Sequence, residues 1–244
     1  VTPDRRRQLV TFLAALGLDP DGPGGPGSTA EALAPVDEAL THTSARLPRN
    51  HEQLEFLGDA VLRLAASEYL RQHHHGLSVG RHAALRSQLV SDRWLAELGQ
   101  ECGVASVALI GPMAQGDRAG EATVRAELCE ALIGGLYQAW GSLQPVHRWL
   151  TPNWQRSSAA LLADPDRHNW KSALQEWTQG QGLGLPRYSC REASPTHGDP
   201  RRFHCRVSFE ASGPEPAEGW GGSRRAAEQD AARLALARLR AARG

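Results

Sequence analysis

Five carboxylates carry most of the chemical information in this chain of 244 residues. Glu52, Glu55 and Asp59 follow at i, i+3 and i+7, and wound as a helix at about 100° per residue they fall within about 60° of one another. Leu54, Leu57, Val61 and Leu64 then form a core stripe on the opposite side. Glu127 and Glu130, at i and i+3, repeat the arrangement, with Leu128, Cys129, Leu132 and Leu136 turned the other way. Carboxylates this close raise one another's pKa, and they are tolerated where water screens them or a cation neutralises them. Four hard oxygen ligands on two helices, Glu55, Asp59, Glu127 and Glu130, suit Mg²⁺, which takes a few carboxylates and leaves room for water and phosphate. Such an ion supports phosphodiester hydrolysis by activating water near neutral pH, polarising a phosphoryl oxygen and stabilising the leaving 3′ oxygen. Periodicity alone leaves a second reading open: two ordinary amphipathic surface helices, with Arg63 four residues after Asp59 as a ready counter-ion.

The elements that position these acids are helical. Arg5–Gly17 reads as an amphipathic helix, and Asp19–Ser28, rich in Pro and Gly, as a loop. Short helical segments around Ala30–Leu33 and Val36–Thr41 lead to Thr41-His42-Thr43-Ser44 and a loop over Ala45–Asn50. The first acidic helix runs from about His51 to His73-His74-His75, with Gly76 as its stop. Successive helical residues point apart, so the three histidines read as a solvated helix end rather than a chelate. Gly80–Leu98 reads as one long helix, Gly111–Gly120 as a Gly-rich stretch and Ala122–Trp140 as the second acidic helix, where Gly134-Gly135 permits close backbone approach. No strand signal precedes Leu150, which makes the first domain all-α.

After Asp164-Pro165-Asp166 the period changes. Trp170–Gln179 reads as a helix and Leu185–Arg191 as a strand. Phe203, Cys205, Val207 and Phe209 alternate with His204, Arg206, Ser208 and Glu210 as a half-buried strand. Pro214–Gly219 fits a short edge strand, and Ser223 caps an Ala-rich helix from Arg224 to about Ala241. The expected plan is an all-α domain over 1–152, a linker over 153–167 and an α-β-β-β-α domain over 168–244. Charge divides along the same line: residues 1–164 carry 14 basic against 18 acidic residues, and 165–244 carry 13 against 9. Ser223, Arg224 and Arg225 stand at a helix start after two glycines, where backbone N–H groups and two guanidiniums favour phosphate. Ser172, Gln175, Glu176 and Gln179 form a polar stripe suited to 2′-hydroxyls. Taken singly, each is also what an ordinary solvated helix looks like.

No run approaches the ~18 consecutive apolar residues that a membrane helix needs, and the first residues lack a secretory apolar core, so a cytoplasmic protein with no membrane association is expected. Cys102, Cys129, Cys190 and Cys205 are widely spaced and form no C-x-x-C, so they read as small buried residues, without a disulfide or a zinc knuckle.

His51–Leu62 resembles the signature motif of the ribonuclease III family, through Glu52-x-x-Glu55-Phe56-Leu57-Gly58-Asp59. Thr41-His42-x-Ser44 and Glu127-x-x-Glu130-Ala131-Leu132-Ile133-Gly134-Gly135 are similar to that family in order and spacing. The C-terminal unit resembles its double-stranded-RNA-binding domain through Leu174-Gln175-Glu176, His197 before Phe203, and Gly222-Ser223-Arg224-Arg225-x-Ala227. The resemblance implies a Mg²⁺-dependent endonuclease, with Mn²⁺ as a substitute and no small-molecule cofactor. It implies a homodimer cutting both strands of duplex RNA to 5′-phosphate and 3′-hydroxyl ends with short 3′ overhangs, in ribosomal and messenger RNA processing. Glu55, Asp59 and Glu130 match the family's metal-binding carboxylates, and Glu52 its further signature acid. Ser172, Gln175, Glu176 and Gln179 fall where the family touches one minor groove, His197 would enter the next, and Arg224 and Arg225 would meet the phosphates between. Four departures stand out: Glu127 where Asp is usual, His51 where Asn is usual, Gly116–Glu121 in place of a Gly-Gly-Arg-type stretch, and a basic run that ends at Glu228.

A non-catalytic duplex-RNA-binding or ribosome-associated protein on the same fold is the competing class. The presence together of Glu55, Asp59 and Glu130 favours the enzyme, because a protein that only binds has no use for clustered like charges.

Overall fold

The computed structural model describes residues 1–115, 120–163, 170–196, 198–209 and 215–242, and the chain divides into two compact units, Val1–Ala160 and Leu161–Gly244. The first unit is built on α1 (Pro3–Ala15), α2 (Ala34–Ala39), α3 (Glu52–His73), α4 (Val79–Leu89), α5 (Asp92–Cys102), α6 (Val104–Val107), α7 (Pro112–Gln115), α8 (Glu121–Trp140) and α9 (Gln144–Ala163). A single 3₁₀ turn covers Thr43–Ala45, and the one isolated bridge among the described residues pairs Thr41 with Leu109. α8 is the central element: it packs against α2, α3 and α5. Its apolar residues Leu128, Leu132, Ile133 and Leu136 are fully buried, as are Leu62 of α3, Leu95 of α5 and Trp154 of α9.

Several expectations are corrected here. The stretch expected as one helix over Gly80–Leu98 is two, because the Ser91 hydroxyl accepts from the Trp94 N–H and starts a new helix at Asp92. Helix α9 was not foreseen; Pro152 lies inside it, yet the chain stays helical through the stretch expected as the start of the linker while Trp149, Trp154 and Ser158 bury themselves. Asp164-Pro165-Asp166 lies outside the described residues. Leu64, expected in the core, is 53% exposed; Ala65 and Ala66 take the inward positions instead. The histidine run is not merely a solvated end: His74 packs edge-on against Tyr69, its Nε2 lies 3.1 Å from Ser158 Oγ, and burial pushes its pKa down.

The second unit follows the expected α-β-β-β-α order: α10 (Trp170–Gly180), β1 (Arg187–Glu192), β2 (Phe203–Ser208), β3 (Ala217–Gly221) and α11 (Arg224–Ala241). The sheet is antiparallel in the order β1-β2-β3, with Tyr188 opposite Val207 and Val207 opposite Ala217. Cys205, Val207 and Ala217 face Ala227, Ala231, Ala235 and Leu236 of α11. A methyl at Gly219 would stand 2.1 Å from the backbone nitrogen of Ala231, so the helix rests directly on β3. The reading of four unpaired cysteines is also corrected: Cys190 and Cys205 are direct cross-strand partners and form a disulfide. Their sequence separation of 15 residues hides this, because it is the antiparallel register that places them opposite each other.

Candidate active site

Backbone contact sets the site. A methyl at Gly58 of α3 would lie 1.8 Å from the carbonyl oxygen of Glu130, and one at Gly134 of α8 would lie 2.1 Å from that of Leu54. Only glycine allows this approach. The two helices therefore cross with their acidic faces turned to a common cleft lined by Glu55, Glu127 and Glu130 together with Asp92, Arg93, Ala96 and Thr123. Asp59 acts on it electrostatically. The Glu130 carboxyl is pushed up to about 7, first by burial and then by the charges of Asp59, Glu55 and Asp92, with Arg63 opposing. Glu55 is raised by burial, Glu127 and Glu52, in that order. The mutual repulsion expected from the spacing is thus present across both helices. Asp59 itself is held by Arg63, whose Nε donates at 2.8 and 3.0 Å to its two carboxylate oxygens, the counter-ion pairing that the i+4 spacing suggested. Glu52 is exposed at the first position of α3, where its backbone N–H donates to Asn50 Oδ1.

Two histidines enter the site that the carboxylate pattern did not single out. His51, 2% exposed, places Nε2 3.3 Å from Glu55 Oε2 and 3.8 Å from Glu127 Oε2. His42 places its Nε2 3.4 Å from the same Glu127 oxygen, and the two rings stack at 4.7 Å. Burial pushes the His51 pKa down, His42 adds to that, and Glu127 and Glu52 oppose it. Asp92 and Arg93 were missed because the break at Ser91 was missed. For the histidines a signal did exist: His42 belongs to the Thr-His-x-Ser motif, and His51 and Glu127 are two of the departures from the family pattern.

In the second unit, Gln175, Glu176 and Gln179 are exposed on α10 and Ser172 is half-buried, while Leu174 and Thr178 point inward. Ser223 caps α11 by accepting from the Ala226 N–H, and Arg224 and Arg225 are exposed beside it. Glu228 accepts from Lys171 Nζ at 2.5 Å and lies 3.5 Å from Arg224 Nε, so the acid that ends the basic run is an internal counter-ion. Lys171 also sits over the Tyr188 ring. His197 lies outside the described residues.

A family profile described as "Ribonuclease-III-like" matches residues 35–147, and one described as "Double-stranded RNA binding motif" matches 170–239. The chain is 52% identical over 204 residues to a protein named Ribonuclease 3 from Prochlorococcus marinus, which covers 84% of this chain and 81% of that protein. It is 39% identical over 236 residues to a Ribonuclease 3 2 from a Nostoc species, across 97% and 94% of the two chains. A Ribonuclease 3 2 from a Synechocystis species is 38% identical over 234 residues, across 96% and 92%.

Proposed function

The chain belongs to the ribonuclease III family, and from that premise we propose that Glu55, Asp59, Glu127 and Glu130 hold the divalent cation of a double-stranded-RNA endonuclease, with Glu52 as a further acid beside them. The observation that carries this reading is the direct contact of α3 and α8 at Gly58 and Gly134, which gathers the acids about one cleft, where burial first and then neighbouring charges raise the proton affinity of Glu130 and Glu55. The donor set fits Mg²⁺, with Mn²⁺ as a substitute, because it consists of hard carboxylate oxygens and leaves places for water and phosphate. When bound, the ion supplies Lewis acidity for the attacking water, the phosphoryl oxygens and the leaving 3′ oxygen. The chain's own part is to keep the acids together. Glu130, raised to about 7, is shared between its protonated and charged forms near neutral pH, Arg63 orients Asp59, and the Gly58–Gly134 contact sets the two backbones against each other.

The products are 5′-phosphate and 3′-hydroxyl ends with short 3′ overhangs, cut by a homodimer whose two sites each cleave one strand. A solvent-facing apolar stripe on α3 supports the dimer: Phe56 is 83% and Leu64 53% exposed, with Ala60 exposed between them. A second copy of the chain covers it, and Phe56→Glu is expected to turn a sedimenting dimer into a monomer; a variant that remains dimeric places the interface elsewhere. Duplex RNA is read by shape over about 16 base pairs, with Ser172, Gln175, Glu176 and Gln179 at one minor groove, His197 at the next, and Ser223, Arg224 and Arg225 on phosphates. The substrates are ribosomal and messenger RNA precursors in the cytoplasm. Incubating the protein with a uniform RNA duplex in Mg²⁺ or in EDTA, then sizing the products and identifying their ends, tests the proposal. Intact duplex binding without Mg²⁺-dependent cleavage leaves only the RNA-binding role.

A further inference from the structure

Glu127 has a long, flexible arm in a site whose backbones cannot move: the contacts at Gly58 and Gly134 fix α3 against α8, so the position of its carboxylate depends on what grips the side chain. Both imidazoles that approach it are themselves fixed. His51 Nδ1 accepts the Thr43 backbone N–H at 3.2 Å, and the His51 backbone N–H donates to the Thr41 carbonyl at 2.8 Å. A ring that accepts at Nδ1 carries its proton on Nε2, the nitrogen facing Glu55 and Glu127. His42 is arranged alike. Its Nδ1 accepts the Ser44 backbone N–H at 3.2 Å and lies 2.7 Å from the Ser44 hydroxyl, which in turn accepts from the Gly111 N–H. The His42 Nε2 also faces Glu127, 3.4 Å from its Oε2.

This tautomer bears on an obvious alternative. His42, His51 and Glu127 have the composition of a transition-metal site. A neutral imidazole ligates through an unprotonated nitrogen, and the contacts at both Nδ1 atoms favour the tautomer with the proton on Nε2. Both Nε2 atoms stand within ion-pair range of the Glu127 carboxylate. Both address one oxygen of Glu127, Oε2, which leaves Oε1 for a cation.

We propose that His51 and His42 are positioning residues that hold the Glu127 carboxylate, and His51 also that of Glu55, in place for the catalytic cation. The unusual residues at 51 and 127 are then the two ends of one contact. The proposal rests on the cation reading above, and its test separates the two. The probe is Mn²⁺ alone, titrated into the full chain and followed by electron paramagnetic resonance, with duplex binding in Ca²⁺ and the unfolding temperature in EDTA measured alongside. His51→Asn keeps an acceptor for the Thr43 N–H but does not reach Glu127; His51→Gln carries a donor about as far as Nε2 does. His51→Asn is expected to weaken Mn²⁺ binding about tenfold, and His51→Gln by less than about threefold, with RNA affinity unchanged. Wild-type Mn²⁺ affinity in His51→Asn, or an equal loss in both variants, overturns the proposal. Glu130→Gln serves as the reference. If it too leaves Mn²⁺ binding intact, the cation reading fails; if it weakens binding while His51→Asn does not, only the clamp fails. Should His51→Asn unfold in EDTA, His42→Asn and His42→Gln are read in the same way.

Discussion

The two units handle charge in opposite ways. On α3 and α8 like charges are brought together in a partly buried cleft by helix packing, and burial first, then their repulsion, raises the proton affinity of Glu130 and Glu55. On α10 and α11 opposite charges alternate: Glu228 sits between Lys171 and Arg224, and the cations remain at the surface. The first arrangement is the one proposed to share a small cation among several carboxylates. The second is paired internally at Glu228 and leaves Arg224 and Arg225 exposed beside it. The difference teaches that gathering like charges takes backbone contact as close as that at Gly58 and Gly134, whereas opposite charges are brought together by side chains alone.

The most damaging change strikes the repelling group. Asp59→Asn or Glu130→Gln is expected to remove roughly 4 kcal/mol of transition-state stabilisation, about a thousandfold in the rate of Mg²⁺-dependent cleavage. Duplex binding in Ca²⁺ stays near wild type, and cleavage that survives both changes ends the assignment of these acids. Next comes the alternating surface. Arg224→Ala with Arg225→Ala is expected to weaken binding across all duplex sequences and to make its salt slope shallower by about two. A loss confined to one sequence class would mean base readout instead of shape readout. The smallest effect is on stability. Glu130 is raised from 4.5 to about 7, so between those values the unfolded chain has released a proton that the folded chain still holds. The contribution of this group to stability in EDTA is therefore greatest below about pH 4.5, falls as the pH rises and levels off above about 7, and Glu130→Gln flattens this part of the unfolding profile. An unchanged slope in that variant places the titrating group elsewhere.

The acidic faces were legible in the sequence because a period of 3.6 is local information: Glu55 and Asp59, and Glu127 and Glu130, needed only their own helices to be aligned. The strands of the second unit were legible for the same reason. What stayed hidden depends on partners distant in the chain. The Cys190–Cys205 pairing is a matter of register, and the inward turn of Ala65 in place of Leu64 is decided by what α3 packs against. The approach of His51 and His42 to Glu127 spans more than seventy residues. Local signals misled in two places: Ser91 is a cap inside an apparently continuous helical pattern, and Pro152 stands inside a helix that tertiary packing sustains.

The contact of Gly58 with Gly134 also governs how this site can change over generations. The contact between 51 and 127 is made by side-chain tips, so a change at one can be answered by a change at the other. Positions 58 and 134 offer no such step, because the smallest side chain would meet a backbone carbonyl. A change that keeps this crossing is therefore made at the side-chain tips, whereas any side chain at 58 or 134 forces the two helices apart.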